Sequence, residues 1–326
     1  TDLPITHDGM PGQTLNYPDL FADLDFMATN FYHSFPAYHR IQGVFDRLRG
    51  YGKGMHWVFE TAPNYSGGGP QGKTWFIHQP NDAMHAVIWM NYATGGQGTM
   101  FWLWRQHPAG QEMPHGSFIS AWGKPAANFK ELQTLGSELQ EQSEFILDHP
   151  VAPAKIGILY SHKAAMGLGI EQSIGQDIRY YPDWTNRFYQ PMSDAFLYRD
   201  VLHEGVELEG YKLLVAPMLP SMTESHIAKL EKWVKEGGIL ILGPMSGYRT
   251  EHWTANTTHA LGAFGDWVGF EIESRIPVDP YNKKVDTPPS IIFSGLEIPV
   301  QECDLWSEAL STQRGKILAR YQNGMH

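Results

Sequence analysis

Residues 55–75, MHWVFETAPNYSGGGPQGKTW, form the stretch whose reading decides the fold. Within it, residues 67–74, GGGPQGKT, satisfy the phosphate-loop pattern G-x-x-x-x-G-K-[ST] letter for letter. That pattern carries chemistry only when a buried strand leads into the glycines and a helix opens at the Lys-Ser/Thr, so that backbone N–H groups wrap a phosphate. The flanks do not supply this context. HWVFE (56–60) is a strand candidate, but Thr61 to Gly67 intervene before the loop can begin. After Lys73-Thr74 comes WFIHQP, where Pro80 would fall inside the helix and remove one of its hydrogen bonds. The helical pattern starts only at Asn81, a residue type suited to an N-cap. No later apolar strand ends in the Asp that would help hold magnesium, since ILILGP and KLLVAPM close on Gly-Pro and Pro-Met. The stretch is better explained as a strand that delivers Glu60 to the mouth of a site, followed by a Gly-rich rim.

Working outward, the first 150 residues alternate short apolar strands with helical patterns, the mark of a parallel α/β sheet or barrel. Strands are expected at LPITH (3–7), FMATNFY (26–32), HWVFE (56–60) and TMFWLWR (99–105). Helices are expected near 36–50, 81–94 and 126–147. In a βα barrel the functional residues stand at the C-terminal ends of strands. Those ends carry His7, Tyr32, Glu60 and Arg105. These strands are too few to close an eight-stranded barrel, so the pattern is that of its second half, and an N-terminal half or a completing partner is expected. The chain opens on Thr1 in an apolar stretch, in line with that expectation.

Near residue 150 the texture changes. HPVAPAKIGILYS opens a new strand behind a Pro-containing linker, and YKLLVAPMLP, SHIAKLEKWVKEGG and GGILILGP then give strand, helix and strand. That order predicts a small doubly wound domain over 151–270, without a G-x-G-x-x-G fingerprint and therefore without a bound dinucleotide. Residues 271–326 are Pro-rich with alternating apolar positions and are expected to form a β-rich extension.

The composition narrows the chemistry. With 24 Lys+Arg against 35 Asp+Glu the formal charge is −11, spread without a basic run, which argues against nucleic acid and anionic membrane as partners. Aromatic residues make up 13%, including 11 Trp and 15 Tyr, a supply of flat apolar faces for core packing or sugar rings. The single cysteine, Cys303, excludes a disulfide framework or cysteine-cluster zinc site within this sequence and has no basic neighbour to make it reactive. No signal-peptide pattern opens the sequence and no apolar run approaches the length of a membrane span. A cytoplasmic location is expected.

GTMFWLWRQHPAGQEMPHG (98–116) adds Glu112 and His115 in E-x-x-H spacing after an aromatic strand ending in Arg105. On a helix such a pair can bind metal, but Pro108 and Pro114 argue for a loop. A carboxylate that accepts and an imidazole that donates or accepts suit neighbouring sugar hydroxyls better. No metal and no cofactor is expected. His78, His85 and His107 are scattered and expected to serve packing or surface roles.

The order of segments resembles glycoside hydrolase family 42, the β-galactosidases. The matching stretches are PITHDGM, MATNFYHSF, HWVFETAPNYSG, GTMFWLWRQHPAGQEMPHG, AKIGILYS, YKLLVAPMLPSMT and GGILILGP, together covering roughly residues 1 to 270. The resemblance implies an α/β protein in which the second half of a (β/α)8 TIM barrel (1–150) precedes a flavodoxin-like, class I glutamine amidotransferase-like trimerisation domain (151–270) and an extension (271–326). It implies a retaining hydrolase of terminal β-galactosides or oligosaccharides that works as a homotrimer in carbohydrate metabolism. By position, Glu60 matches the catalytic nucleophile, Tyr32 a tyrosine that contacts it, and Glu112 and His115 the pair that holds galactose hydroxyls. Trp75 is the nearest match to a stacking tryptophan in a loop that is longer here. His7 stands where the family has Asn, and Arg105 belongs to the W-x-W-R strand end. The family's acid/base Glu lies in an Asn-Glu motif on an earlier strand that this sequence does not contain, so the 326 residues alone are expected to be inactive. Two readings from other classes stand beside this one: a non-catalytic galactoside-binding or assembly protein, and a nucleotide binder using GGGPQGKT.

Overall fold

The computed structural model describes residues 2–10, 15–32, 38–53, 55–66, 77–78, 81–171, 179–278 and 289–322. The chain divides into two compact units, one formed by 1–155 with 189–206 and the other by 156–188 with 207–326.

In the first unit β1 (Asp8–Gly9), β2 (Met27–Asn30), β3 (His56–Glu60) and β6 (Gly96–Thr99) form a parallel sheet in that order. Between them lie α1 (Tyr17–Leu20), α2 (Tyr38–Leu48), the short strands β4 (Tyr65–Ser66) and β5 (Ile77–His78), and α3 (Asn81–Ala93), with α4 (Phe129–Asp148) following. β2 is buried through Met27, Ala28 and Thr29, as expected of a strand covered on both faces. On the helix side, Phe31 and Val58 from the strands meet Ile41, Val44, Phe45 and Leu48 of α2 in one apolar cluster, with Tyr17 and Phe21 from α1 and the turn after it. A second cluster joins Met84 and Ile88 of α3 to Leu132 and Leu135 of α4.

Two strands lie away from their expected positions. The first ladder forms at Asp8–Gly9 rather than over 3–7, where Leu3 and Ile5 are exposed. The fourth forms at Gly96–Thr99, before the aromatic run rather than through it. From Met100 the chain follows β3 by separate backbone bonds, Met100 N to Val58 O and Trp102 N to Thr61 O. The peptide bond between Trp102 and Leu103 is cis. Glycines open β6 because bulkier residues there would strike Asn91 and Trp57, so apolarity is a poor guide to this strand.

In the second unit β7 (Ile156–Leu159) leads into α5 (His162–Glu171) and α6 (Tyr180–Asp183). The chain then contributes α7 (Gln190–Asp194) and β8 (Asp200–Leu202) to the first unit before returning. β9 (Leu213–Ala216), α8 (Glu224–Lys235) and β10 (Ile239–Leu242) follow, and β10, β9 and β7 pair in parallel in that order. α8 begins where Thr223 accepts a bond from His226 N at 3.3 Å and carries Glu224 in its first turn and Lys232 and Lys235 in its last, each charge matched to the helix dipole. Beyond it β11 (Phe270–Pro277) runs antiparallel to β14 (Trp306–Thr312), while β12 (Ser290–Phe293) pairs with β13 (Gln301–Glu302) and β15 (Ala319–Tyr321).

Candidate active site

The C-terminal ends of β1, β2 and β3 converge with the loop that follows β6. At the end of β3, Glu60 pairs in register with Asn30, one residue out of step with the rest of the ladder. Phe31 is committed to the helix-side cluster, so its neighbours Asn30 and Tyr32 turn to the opposite face. From there the Tyr32 hydroxyl donates to Glu60 Oε2 at 2.8 Å. Burial first, and then the bond to Glu60 and its charge, push the Tyr32 phenol far above its ordinary range. Tyr32 therefore stays a donor at every working pH.

The loop after β6 is fixed to the loop after β3. Gly116 N donates to Tyr65 O at 2.9 Å, and any Cβ at Gly116 would strike the Asn64 side chain and Tyr65 O, so only glycine fits. Asn64 also donates to Ser117 O at 3.1 Å, and Asn128 donates to Pro63 O at 2.7 Å. This bracing seats His115, which is buried and sets its ring edge-on to Tyr32 with centroids 5.6 Å apart. His115 Nδ1 lies 3.0 Å from Gly116 O. A carbonyl can only accept, so Nδ1 carries a proton, and in the neutral ring Nε2 is left as an acceptor. Glu112 is exposed, with Oε2 accepting from the Trp102 indole N–H at 3.1 Å and standing 4.0 Å from His107 Nε2. The His107 ring packs on Trp102 with centroids 5.7 Å apart.

Of the residues singled out in the sequence, Tyr32 meets both Glu60 and His115, and the charges of Glu60 and Glu112 both act on Tyr32. His7 is exposed with Nδ1 2.8 Å from Asp8 O, and Arg105 is exposed with its guanidinium donating to Ala121 O at 3.0 Å. Trp75 and the GGGPQGKT loop fall outside the described residues. β4 and β5, on either side of that loop, pair antiparallel, Tyr65 with His78 and Ser66 with Ile77. Ile77–His78 is a strand where a phosphate loop would continue as helix, against the phosphate-loop reading. Asp8 was not foreseen. It accepts from Asn30 at 3.2 Å, and burial, ahead of the charge of Glu60, raises its carboxyl above the usual range. The fold places it: a Cβ at Gly9 would strike Tyr17, so Gly9 faces the helices and Asp8 faces the site.

Among the described residues no group of His, Cys, Asp or Glu is arranged to hold a metal ion, and no helix is long and apolar enough to cross a membrane. One of the carboxylates here, Glu60, stands at the end of β3.

Two family models match the sequence, one described as "Beta-galactosidase" over residues 1–142 and one as "Beta-galactosidase trimerisation domain" over residues 154–326. The sequence is 31% identical over 325 residues to β-galactosidase YesZ of Bacillus licheniformis, covering 99% of this chain and 47% of that protein. It is 30% identical over 209 residues to a β-galactosidase of Thermus thermophilus, covering 63% of this chain and 30% of that one. The chain spans about half the length of the first of these relatives and less of the second. The fold is shared with a catalytic mutant of a β-galactosidase from G. stearothermophilus (TM-score 0.87, 20% identity, 98% of this chain and 47% of that chain). It is shared too with the β-galactosidase of the psychrophilic Marinomonas ef1 (TM-score 0.80, 19% identity, 97% and 49%).

Proposed function

The chain belongs to glycoside hydrolase family 42, and from that premise we propose that it is the nucleophile-bearing part of a retaining β-galactosidase that cleaves terminal β-galactosides by double displacement. The observation that carries this reading is the Tyr32 bond to Glu60 at the end of β3. With Oε2 held by Tyr32, Oε1 has no partner among the described residues and is the oxygen that attacks the anomeric carbon. The C–O bond to the leaving group breaks as a second carboxyl protonates that oxygen, and water then hydrolyses the glycosyl-Glu60 ester. Such enzymes keep the two carboxyls about 5 to 5.5 Å apart and need no cofactor. We assign the acid/base Glu to a strand outside these 326 residues, so the isolated chain is expected to be inactive. Glu112, anchored by Trp102, and His115, fixed as an acceptor, receive the hydroxyls of the galactose ring. Trp75, outside the described residues, is assigned the stacking role that the family resemblance implies, while His7 and Arg105 border the opening.

In this reading residues 1–150 are the second half of a TIM barrel, 151–270 a flavodoxin-like domain through which three copies assemble, and 271–326 its β-rich extension. The enzyme works in the cytoplasm. A 2-deoxy-2-fluoro-galactosyl fluoride, added to the full natural protein, tests the assignment: mass spectrometry should find a galactosyl adduct on Glu60. Galactose binding without any adduct would replace the hydrolase by a galactoside-binding protein.

A further inference from the structure

Asp8 and Asn30 form a pair that the proposed reaction does not yet use. Gly9 packs against Tyr17 on the helix side, which turns Asp8 to the face that carries Asn30 and Tyr32. There Asp8 Oδ2 accepts from Asn30 Nδ2 at 3.2 Å, while its Oδ1 is buried without a partner among the described residues. An ionised carboxylate can only accept, so the pair decides which way the Asn30 amide faces: Nδ2 toward Asp8 and Oδ1 away from it. That oxygen has no partner among the described residues. Asn30 is also the register partner of Glu60 and stands two residues before the tyrosine that holds the Glu60 carboxylate.

We propose that Asn30 is a further substrate-contacting residue, its Oδ1 accepting a hydrogen bond from a hydroxyl of the sugar seated against Glu60, with Asp8 as the positioning residue that fixes the amide. The inference rests on the galactoside-binding reading of this site. Asp8 lies in a drier setting than a surface acid: burial pushes its carboxyl up, the bond from Asn30 pulls it back, and the charge of Glu60 adds to the rise. A partly dry acceptor beside an amide donor makes a rigid support, and a fixed amide discriminates a hydroxyl from its absence better than a rotating one.

The test is calorimetric titration of the full natural protein with galactose and with its 2-, 3-, 4- and 6-deoxy derivatives. Asn30→Ala should weaken galactose binding about 5- to 20-fold, the range of one lost hydrogen bond. For one of the four deoxy sugars that penalty should vanish, which identifies the hydroxyl. Asp8→Ala should show the same deficit and the same pattern, with the double variant no weaker than either single one. Asp8→Asn, which keeps an acceptor for Asn30 Nδ2, should restore most of the affinity. Unchanged galactose binding by Asn30→Ala, or an equal loss on all five sugars, would overturn the proposal. The fluoro-sugar adduct separates this from its premise. An adduct with Asn30-independent binding sinks only the inference, Asn30-dependent binding without an adduct sinks only the hydrolase, and no galactose binding by the wild type sinks both.

Discussion

Two groups of acids in the first unit are built in opposite ways. Beside α2, Asp46 and Asp200 are buried with their cations: Arg49 reaches Asp46 at 2.8 Å and Asp200 at 2.7 Å, and Arg199 stands 3.6 Å from Asp46. Tyr189 adds a bond to Asp46 at 2.6 Å and lies under the Arg199 guanidinium at 4.2 Å. At the strand ends, by contrast, no lysine or arginine pairs with Asp8, Glu60 or Glu112 among the described residues. Their partners are an amide, a phenol, an indole and a more distant imidazole. A compensated cluster is a structural joint, here tying residues 189–206 to α2. Acids held by neutral donors keep acceptor capacity for a neutral, hydroxyl-rich ligand. On the proposed reading the contrast separates the acids that bind from those that brace.

The strongest way to break the contrast is to remove one acid from the strand ends. Glu60→Gln is nearly isosteric and retains an oxygen for Tyr32, so the fold should persist. In the full natural protein it should cost about a thousandfold or more in galactoside turnover and abolish the fluoro-sugar adduct, as loss of a nucleophile does. Turnover equal to wild type would remove Glu60 from the mechanism and erase the distinction between the two groups.

Next in size is the joint. Arg49→Met should destabilise the protein by roughly 3–5 kcal/mol, because it leaves Asp46 and Asp200 buried with too little positive charge. Burial already pushes the Asp46 carboxyl upward against the pull of Arg49 and Arg199, so that imbalance would grow. Urea or thermal unfolding measures the loss, and the folded fraction should still label at Glu60. A fall in labelling that exceeds the fall in folded protein would show that the joint also shapes the site.

β3 links the two regions, since Glu60 ends it and His56 begins it. His56 is fully buried and stacked on Phe45, and burial, followed by the charge of Arg49, lowers its imidazole from 6.5 to about 3. The unfolded chain therefore binds a proton between these values that the folded one refuses. The stability due to neutral His56 is complete above pH 6.5 and drains away as pH falls toward 3, by on the order of 3 kcal/mol at pH 4. His56→Leu should flatten that part of the acid-side decline in unfolding experiments. An unchanged slope would place the acid sensitivity elsewhere.

What the sequence disclosed follows the same division. Glu60 was legible because an apolar run ends on it and a glycine loop follows. Tyr32 stood out as a strand end, and Glu112 and His115 through their E-x-x-H spacing in a Pro-flanked loop, while the roles given to them came from the resemblance to the family. Asp8 was not, because the expected strand stopped at His7, and moving the end of a strand by one residue exchanges its faces. The ladder between Asp8 and Ala28, and the packing of Gly9 on Tyr17, settle which face is which. The joint was hidden for a different reason. Arg49 and Asp200 lie 151 residues apart, and no local pattern records a pairing across such a distance. Periodicity found α2, α3 and α4 within a few residues but could not find β6, whose glycines are chosen for close approach rather than apolar burial.

The smallest expected effect belongs to the motif that first catches the eye. Lys73 would be indispensable in a phosphate loop, where it reaches the terminal phosphates from the start of a helix. Here Ile77–His78 is a strand paired with Tyr65–Ser66, and the helix begins only at Asn81. Lys73→Ala should therefore leave galactoside turnover within about a few fold, as expected of a residue with no part in the proposed chemistry, and the wild type should show no saturable ATP binding. A nucleotide site would produce the reverse: calorimetric ATP binding by the wild type, lost in Lys73→Ala, with Glu60→Gln binding ATP normally. The two variants thus exchange their effects between the readings. A null result at Lys73 is informative only when set against the large loss at Glu60, because together they would assign the chemistry to the strand end and not to the glycine motif beyond it.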